Sequence, residues 1–232
     1  MPIAILAGGL GSRIYPRTSS IPKSLIQING RPFIDIQLEN LAAGGFQDVV
    51  ICIGHLGEQI RSYVGAGERY GLSIEYSKDG EISLGTGGAI RNALEFLGKE
   101  FAIVYGDSLL DLHYKDVIEK YMQEKLPGLM TIYKQDGEYL RNNVAFVNGR
   151  IVKYSKSSNS DELNFIDYGF EILQSQVFEN SIAEISFDLS KILEDLAETH
   201  QLAHFEAQNS FYEIGSLQGI ESLEKEMKKW IS

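Results

Sequence analysis

The sequence predicts an α/β fold with a doubly wound sheet, and three observations carry that prediction. Apolar runs of strand length recur at residues 3–7, 49–53, 72–76, 101–105 and 128–133. Segments long enough for helices, 32–43, 56–64, 86–97 and 114–124, lie between them. Two of the runs stop at glycine, at Gly8-Gly9 and at Gly106-Asp107. Strands alternating with helices build sheets covered on both faces, and ligands then gather beyond the carboxyl ends of the strands. Both glycine stops fall at such ends.

Ile3-Ala4-Ile5-Leu6-Ala7 has the continuous apolar pattern of a strand buried on both faces. After it, Gly8, Gly9 and Gly11 leave the backbone free to turn its N–H groups toward an anion. Arg13 contributes a planar fork and Lys23 a mobile point charge, with Pro22 fixing the chain just before the lysine. Leu84-Gly85-Thr86-Gly87-Gly88-Ala89 opens the 86–97 helix, where small residues admit close backbone approach and the first-turn amides are free to meet polar ligand atoms. A plain glycine-rich helix start fits that run as well. Asp107 ends an apolar strand, as strand-end turn aspartates often do.

In the second half, 144–147 and 150–154 flank Asn148-Gly149, a two-residue hairpin signal. A further strand is expected at 164–173. Residues 188–199 read as a helix capped by Asp188, with Leu189, Ile192, Leu193 and Leu196 on one face. A terminal helix at 216–230 places Lys225, Lys228 and Lys229 late, where the helix dipole favours cations. Neither a repeat nor a linker interrupts the chain, so one domain over 1–232 is expected.

Composition narrows the function. The 232 residues are 44% hydrophobic and 23% charged, with a net charge of −11. A nucleic-acid polymer needs a basic stripe that such a chain lacks, whereas a single nucleotide needs only a local cationic loop. Cys52 is the only cysteine, which leaves no intrachain disulfide and no cysteine-based zinc site; it reads as a small buried apolar residue. His55, His113, His200 and His204 show no ligand spacing. No apolar segment approaches the ~20 residues that span a bilayer, and the N-terminus lacks signal-peptide features. A cytoplasmic protein without a membrane partner is expected.

The glycine loop has several conceivable owners. A dinucleotide fingerprint would need a third glycine where Ile14 stands, and no Gly-Lys-Ser or Gly-Lys-Thr exists for a Walker A loop. A phosphate loop with two cations and a glycine-rich turn with solvated charges remain. Taken together, Leu6-Ala7-Gly8-Gly9-Leu10-Gly11-Ser12-Arg13, Pro22-Lys23-Ser24-Leu25 and Asn29-Gly30-Arg31-Pro32-Phe33 resemble the signature of the sugar-1-phosphate nucleotidyltransferases. The resemblance extends along nearly the whole chain. Gly57-Glu58-Gln59-Ile60, Tyr70-Gly71-Leu72-Ser73-Ile74 and Leu84-Gly85-Thr86-Gly87-Gly88 are most similar to heptose-1-phosphate guanylyltransferases and N-acetylmuramate-1-phosphate uridylyltransferases.

That resemblance implies a Rossmann-like mixed sheet of the nucleotide-diphospho-sugar transferase type, without the left-handed β-helix that related enzymes often append. It implies a magnesium-dependent enzyme that joins a nucleoside triphosphate, GTP by its Leu84-Gly85-Thr86, to a sugar 1-phosphate and releases pyrophosphate, for cell-surface polysaccharide precursors. Ala7, Gly8, Gly9, Gly11 and Ser12 would bind the nucleotide, with Gly85 and Thr86 against base and ribose. Arg13 would grip the triphosphate and Lys23 would lie near the α-phosphate. Asp107 matches the family's metal aspartate. Glu213, in Phe211-Tyr212-Glu213-Ile214-Gly215-Ser216, stands where the family has a second one, with Asp111 and Asp167 in reserve. Lys156 takes the sugar-phosphate position of Glu-Lys-Pro, although Ser155 and Ser157 replace its neighbours. Asp167 and Gly169 occupy the place of Asn-Ala-Gly in the sugar pocket, and Asn143 is a further sugar contact. Two other classes stay open: a nucleotide-sugar-binding module without turnover, to which Glu213, Ser155 and Ser157 point, and a cytidylyltransferase acting on a non-sugar phosphate.

Overall fold

β1 (Ile3–Leu6) shows why the apolar runs form the centre of the molecule: Ile3, Ala4 and Ile5 are fully buried. Ile3 and Ile5 pack into one apolar cluster, Ala4 into another on the opposite face of the sheet. The structure, a computed structural model, describes residues 1–9, 11, 14–15, 18–80, 82–135, 141–158, 160–179 and 184–231, with side chains through 228. In chain order β1 is followed by β2 (Gln27–Ile28), β3 (Arg31–Pro32), α1 (Phe33–Ala43), β4 (Asp48–Ile53), α2 (Gly57–Val64), β5 (Ser73–Lys78), α3 (Gly85–Leu97), β6 (Glu100–Tyr105), β7 (Ser108–Leu109), α4 (Tyr114–Glu124) and β8 (Gly128–Tyr133). The second half supplies β9 (Val144–Val147), β10 (Arg150–Tyr154), β11 (Ile166–Gln174), α5 (Ser190–Glu198), β12 (Leu202–Glu206), β13 (Tyr212–Glu213) and α6 (Leu217–Ile231).

The main sheet has seven strands in the order β12-β8-β11-β6-β1-β4-β5. From β1 the chain steps outward through β4 to β5, then returns to β6 on the other side of β1, all four strands being parallel. The order therefore reverses between β1 and β6, and a crevice opens at such a switch point. Leu38 and Leu41 of α1, Ile60 of α2 and Val117 of α4 cover one face; Ile90 and Ala93 of α3 and Leu193 and Leu196 of α5 cover the other. The mixed, doubly wound sheet expected from the sequence is thus present.

The strand expected at 164–173 is β11. It inserts antiparallel between β6 and β8, which is what makes the sheet mixed. β12 was not expected: it is an edge strand paired only to β8, and its half-buried His204 and Phe205 blur the apolar signal. Asn148 and Gly149 both adopt positive φ, +51° and +77°, in the two-residue turn that joins β9 to β10. Asp188 accepts a hydrogen bond from the Ser190 N–H at 2.8 Å, but the helix starts two residues later than the periodicity suggested and its cap position is Leu189, not Asp188.

A third apolar cluster lies outside the main sheet. Ile28, Phe33 and Ile36 pack there against Leu109, Ile214, Ile220 and Leu223, seating α6 on the β2–β3 hairpin and on the short β7–β13 pair. The one-turn 3-10 segment Lys23–Leu25 lies beside the end of β6, with Leu25 packed against the first cluster and Lys23 paired to Asp107. Among the described residues, no helix is long and apolar enough to cross a membrane.

Candidate active site

Two strand ends meet at the switch point. The Gly106 N–H donates to the Leu6 carbonyl at 3.0 Å, and the Ala7 N–H donates to the Cys52 carbonyl at 2.9 Å. A Cβ on Gly106 would stand 2.7 Å from the Leu6 carbonyl oxygen and 3.1 Å from the Ala7 Cα, so only glycine lets β1 and β6 close to this distance. The phosphate-type loop after β1 and the acid after β6 are thereby brought to one cavity of about 280 Å³. Ala7, Gly8, Gly9 and Gly11 line it on one side, Gly85 and Thr86 on another, with Lys23, Tyr105 and Asp107 between.

Lys23 and Asp107 form an ion pair, Nζ to Oδ2 at 2.5 Å, with side chains 14% and 29% exposed. The Ser108 hydroxyl donates to the other carboxylate oxygen at 3.3 Å. Cation and carboxylate thus face the same space as the glycine loop. Arg13 and Ser12, assigned to triphosphate and nucleotide from the sequence, lie outside the described residues.

The glycines of α3 have a different task from the one expected of them. Gly87 and Gly88 donate their N–H groups to the Phe187 carbonyl at 3.0 and 3.3 Å, and the Thr86 hydroxyl accepts from the Leu189 N–H at 2.8 Å. The close backbone approach that small residues permit is made here by the 187–189 segment of the protein itself, and the first-turn amides are spent on it. Gly85 and Thr86 still line the cavity.

The second carboxylate is also placed differently. Ile214 N–H donates to the Asp107 carbonyl at 2.9 Å and Glu213 pairs with Ser108 across β13 and β7, so the backbone of Glu213 runs beside Asp107. Its carboxylate, however, accepts from the Gly215 N–H and, at 2.5 Å, from the Ser216 hydroxyl, and it lines a separate cavity of about 410 Å³ with Tyr133, Phe211 and Gly219. Ser216 in turn accepts the Gly219 N–H at 2.9 Å. Glu213 thus supports the cap of α6 through Ser216, whose hydroxyl it holds and which takes the first-turn Gly219 N–H that would otherwise be unpaired. Glu213→Ala is expected to destabilise the fold by about 1 kcal/mol, the usual loss of an N-terminal cap. A shift of the urea midpoint measures it, and an unchanged midpoint would remove the capping role.

The sugar-side candidates form a connected network next to this cavity, separate from its lining residues. Asn143 Oδ1 accepts the Asp167 N–H at 2.8 Å, while the Asp167 carboxylate accepts from the Tyr154 hydroxyl and the Gly169 N–H, each at 2.9 Å. The Lys156 ammonium pairs with Asp188 at 2.8 Å and lies 5.7 Å over the ring of Tyr105, the residue shared with the cavity wall. Burial opposes ionisation of Asp188, but Lys156 and the Ser190 N–H together hold its carboxyl below the usual range.

Asp79 belongs to the cavity and was missed. It accepts the Leu84 N–H at 3.2 Å, tying the turn after β5 to the start of α3, and burial raises its pKa. Its sequence signal is an Asp-Gly pair just past a strand. Asp111 accepts from the Asn209 side chain at 3.0 Å and is not among the lining residues.

Magnesium is held by one or two carboxylates completed by water and substrate phosphate oxygens. Asp107 fits that donor set, being a cavity-facing carboxylate beside an anion loop. Among the described residues, no group of three or more His, Cys, Asp or Glu side chains is gathered as an all-protein cage would require.

Comparison with known proteins bears on the family and the fold. Residues 3–228 match the model of the nucleotidyl transferase family. The UTP–glucose-1-phosphate uridylyltransferase of Synechocystis sp. is 30% identical over 206 residues, which are 82% of this chain and 53% of that protein. The chain spans about half the length of this and other curated relatives that it matches. The D-glycero-α-D-manno-heptose 1-phosphate guanylyltransferase of Aneurinibacillus thermoaerophilus is 29% identical over 236 residues, covering all of both chains. HddC from Yersinia pseudotuberculosis, solved with GMP-PN, superposes with a TM-score of 0.81 at 22% identity, over 97% of this chain and 99% of that one. With the family model spanning almost the full sequence and the fold shared end to end, the chain belongs to the nucleotidyl transferase family.

Proposed function

We propose that this chain, as one catalytic domain over 1–232, transfers a nucleotidyl group from a nucleoside triphosphate to a sugar 1-phosphate. The observation that carries the reading is the convergence of the glycine loop, Lys23 and Asp107 on one cavity at the β1/β6 switch point. In the reaction a phosphate oxygen of the sugar phosphate attacks the α-phosphorus in line, a new P–O bond forms, and the bond to the β-phosphate oxygen breaks with that electron pair leaving on pyrophosphate. Little covalent chemistry falls to the protein; positioning and charge neutralisation supply the rate. The amides after β1 cradle phosphate oxygens, and Lys23 neutralises charge near the α-phosphate. Arg13 takes the leaving pyrophosphate, a role that rests on the resemblance of its motif. Asp107 would hold magnesium, which when bound neutralises phosphate charge as a Lewis acid.

GTP is the favoured nucleotide. The relative aligned over its full length is a guanylyltransferase, and the Yersinia neighbour was solved with GMP-PN. Soluble phosphorylated substrates of this type fit the cytoplasm, and cell-surface polysaccharide precursors fit the product. The capping role of Glu213 favours a second reading, a nucleotide-sugar-binding module. Incubation with magnesium, each nucleoside triphosphate, and a panel of sugar 1-phosphates plus phosphocholine separates the readings. The expected result is pyrophosphate release that is fastest with GTP and a sugar 1-phosphate. Nucleotide-sugar binding by calorimetry without any release would favour the module, and turnover of phosphocholine with CTP would favour a non-sugar acceptor.

A further inference from the structure

Glu171 sits in the middle of β11, opposite Ile103 of β6 and Met130 of β8, and is fully buried. Its face of the sheet is otherwise apolar there, formed by Ile103, Met130, Ile132 and Leu173. Among the described residues, neither carboxyl oxygen has a partner at full hydrogen-bonding geometry, although the Asp167 carboxylate is near enough to act on its proton. The hydroxyl of Tyr105 is likewise buried and unpartnered. The two groups are neighbours: the Tyr105 ring lies at Gly169, where a Cβ would stand 3.4 Å from it, and Gly169 sits between Asp167 and Glu171 where the pairing of β11 with β8 shifts register.

Tyr105 therefore stands near both Asp167 and Glu171, which act on each other as well, with the Lys156 ammonium 5.7 Å above its ring and the cavity in front. Burial drives the Glu171 carboxyl well above the usual range, and the charge of Asp167 and its hold on the Glu171 proton add to this against the opposing pull of Lys156. In its protonated form, which burial and Asp167 both favour, the Glu171 carboxyl can donate one hydrogen bond and accept others. A leucine would fill the same place at less cost to the fold, because a buried polar group without a partner is destabilising. Such groups persist where function uses them.

We propose that Glu171 and the Tyr105 hydroxyl, together with Asp167, form the wall that reads sugar hydroxyls, with Glu171 as the positioning residue that sets Asp167 and Tyr105. This rests on the sugar 1-phosphate reading above. It extends recognition from Tyr105 in the cavity wall to Glu171, which is fully buried behind it.

Calorimetric titration of wild type, Glu171→Gln and Tyr105→Phe with the preferred sugar 1-phosphate, and separately with GTP, tests it. Both variants should bind the sugar 1-phosphate about 10-fold more weakly or worse, as misplaced binding groups do. Glu171→Gln should keep wild-type affinity for GTP. Glu171→Leu should melt at or above the wild-type temperature while losing sugar affinity to the same degree. In active enzyme, the KM for the sugar 1-phosphate should rise in Glu171→Gln, with the KM for GTP unchanged. Wild-type sugar affinity in both Glu171→Gln and Tyr105→Phe would overturn the proposal, whether or not Glu171→Leu folds. Sugar binding without pyrophosphate release in the wild type would instead count against transfer and leave the recognition wall to be judged by the same titrations.

Discussion

Asp107→Ala is expected to slow pyrophosphate release by about 10³-fold with the protein still folded. Asp107 is the carboxylate that the end of β6 delivers to the cavity, and Lys23 is its partner at 2.5 Å. Removing a group that organises charge at a reacting centre costs roughly 10²–10³-fold in rate, and here the loss is doubled in kind: the carboxylate proposed to hold magnesium disappears and Lys23 loses the anion that aims it. The fold should tolerate the change because the side chain lies outside all three apolar clusters, and the bond from the Ile214 N–H reaches the backbone carbonyl of Asp107, which alanine keeps. What stability is lost comes from a partly buried pair, on the order of 1–3 kcal/mol, because the lysine is left without its partner. Single-turnover pyrophosphate release measures the first effect and the urea midpoint the second. A rate within a few-fold of wild type would remove Asp107 from the reaction.

The parts of this molecule legible in the sequence are those where one residue type has one physical use. A strand buried on both faces must be apolar throughout, so β1, β4 and β6 were readable as runs, and an anion loop needs glycines followed by cations. Where one residue type has several uses, the sequence alone does not choose. Gly87 and Gly88 had been read as room for a ligand, yet the 187–189 segment occupies that room; nothing local to a glycine says which neighbour will approach it. Glu213 was placed at the metal by its position in a motif, but its carboxylate went to the start of α6. β12 and the β7–β13 pair are set by tertiary partners rather than by their own pattern. Glu171 was visible as a lone acid between Phe170 and Ile172 inside a predicted strand. Its meaning emerges only once the sheet is closed around it and no partner at full hydrogen-bonding geometry is found among the described residues.

Gly85→Ala should destabilise the fold by roughly 2–4 kcal/mol, whereas Gly9→Ala should leave stability within about 0.5 kcal/mol of wild type and weaken nucleotide binding instead. Both glycines line the same cavity, so a reading based on position alone would treat them alike. They differ in what surrounds them. Gly85 holds φ at +68°, in the left-handed region, and a Cβ there would stand 2.5 Å from the Phe187 carbonyl oxygen, a backbone atom that cannot rotate away. Alanine then carries both a conformational penalty and a steric one, and relieving either shifts α3 against the 187–189 segment that fixes the cavity wall. Among the described residues, Gly9 has no atom within 4 Å of its ideal Cβ, so alanine is expected to cost the fold little. The space in front of it is the cavity, and an added methyl holds a phosphate oxygen away from the loop amides. Chemical denaturation and calorimetric GTP titration of the two variants should therefore give opposite patterns. If Gly9→Ala bound GTP as tightly as wild type, the loop after β1 would not be what grips the triphosphate, and if Gly85→Ala melted like wild type, the contact with Phe187 would not be what holds α3 in place.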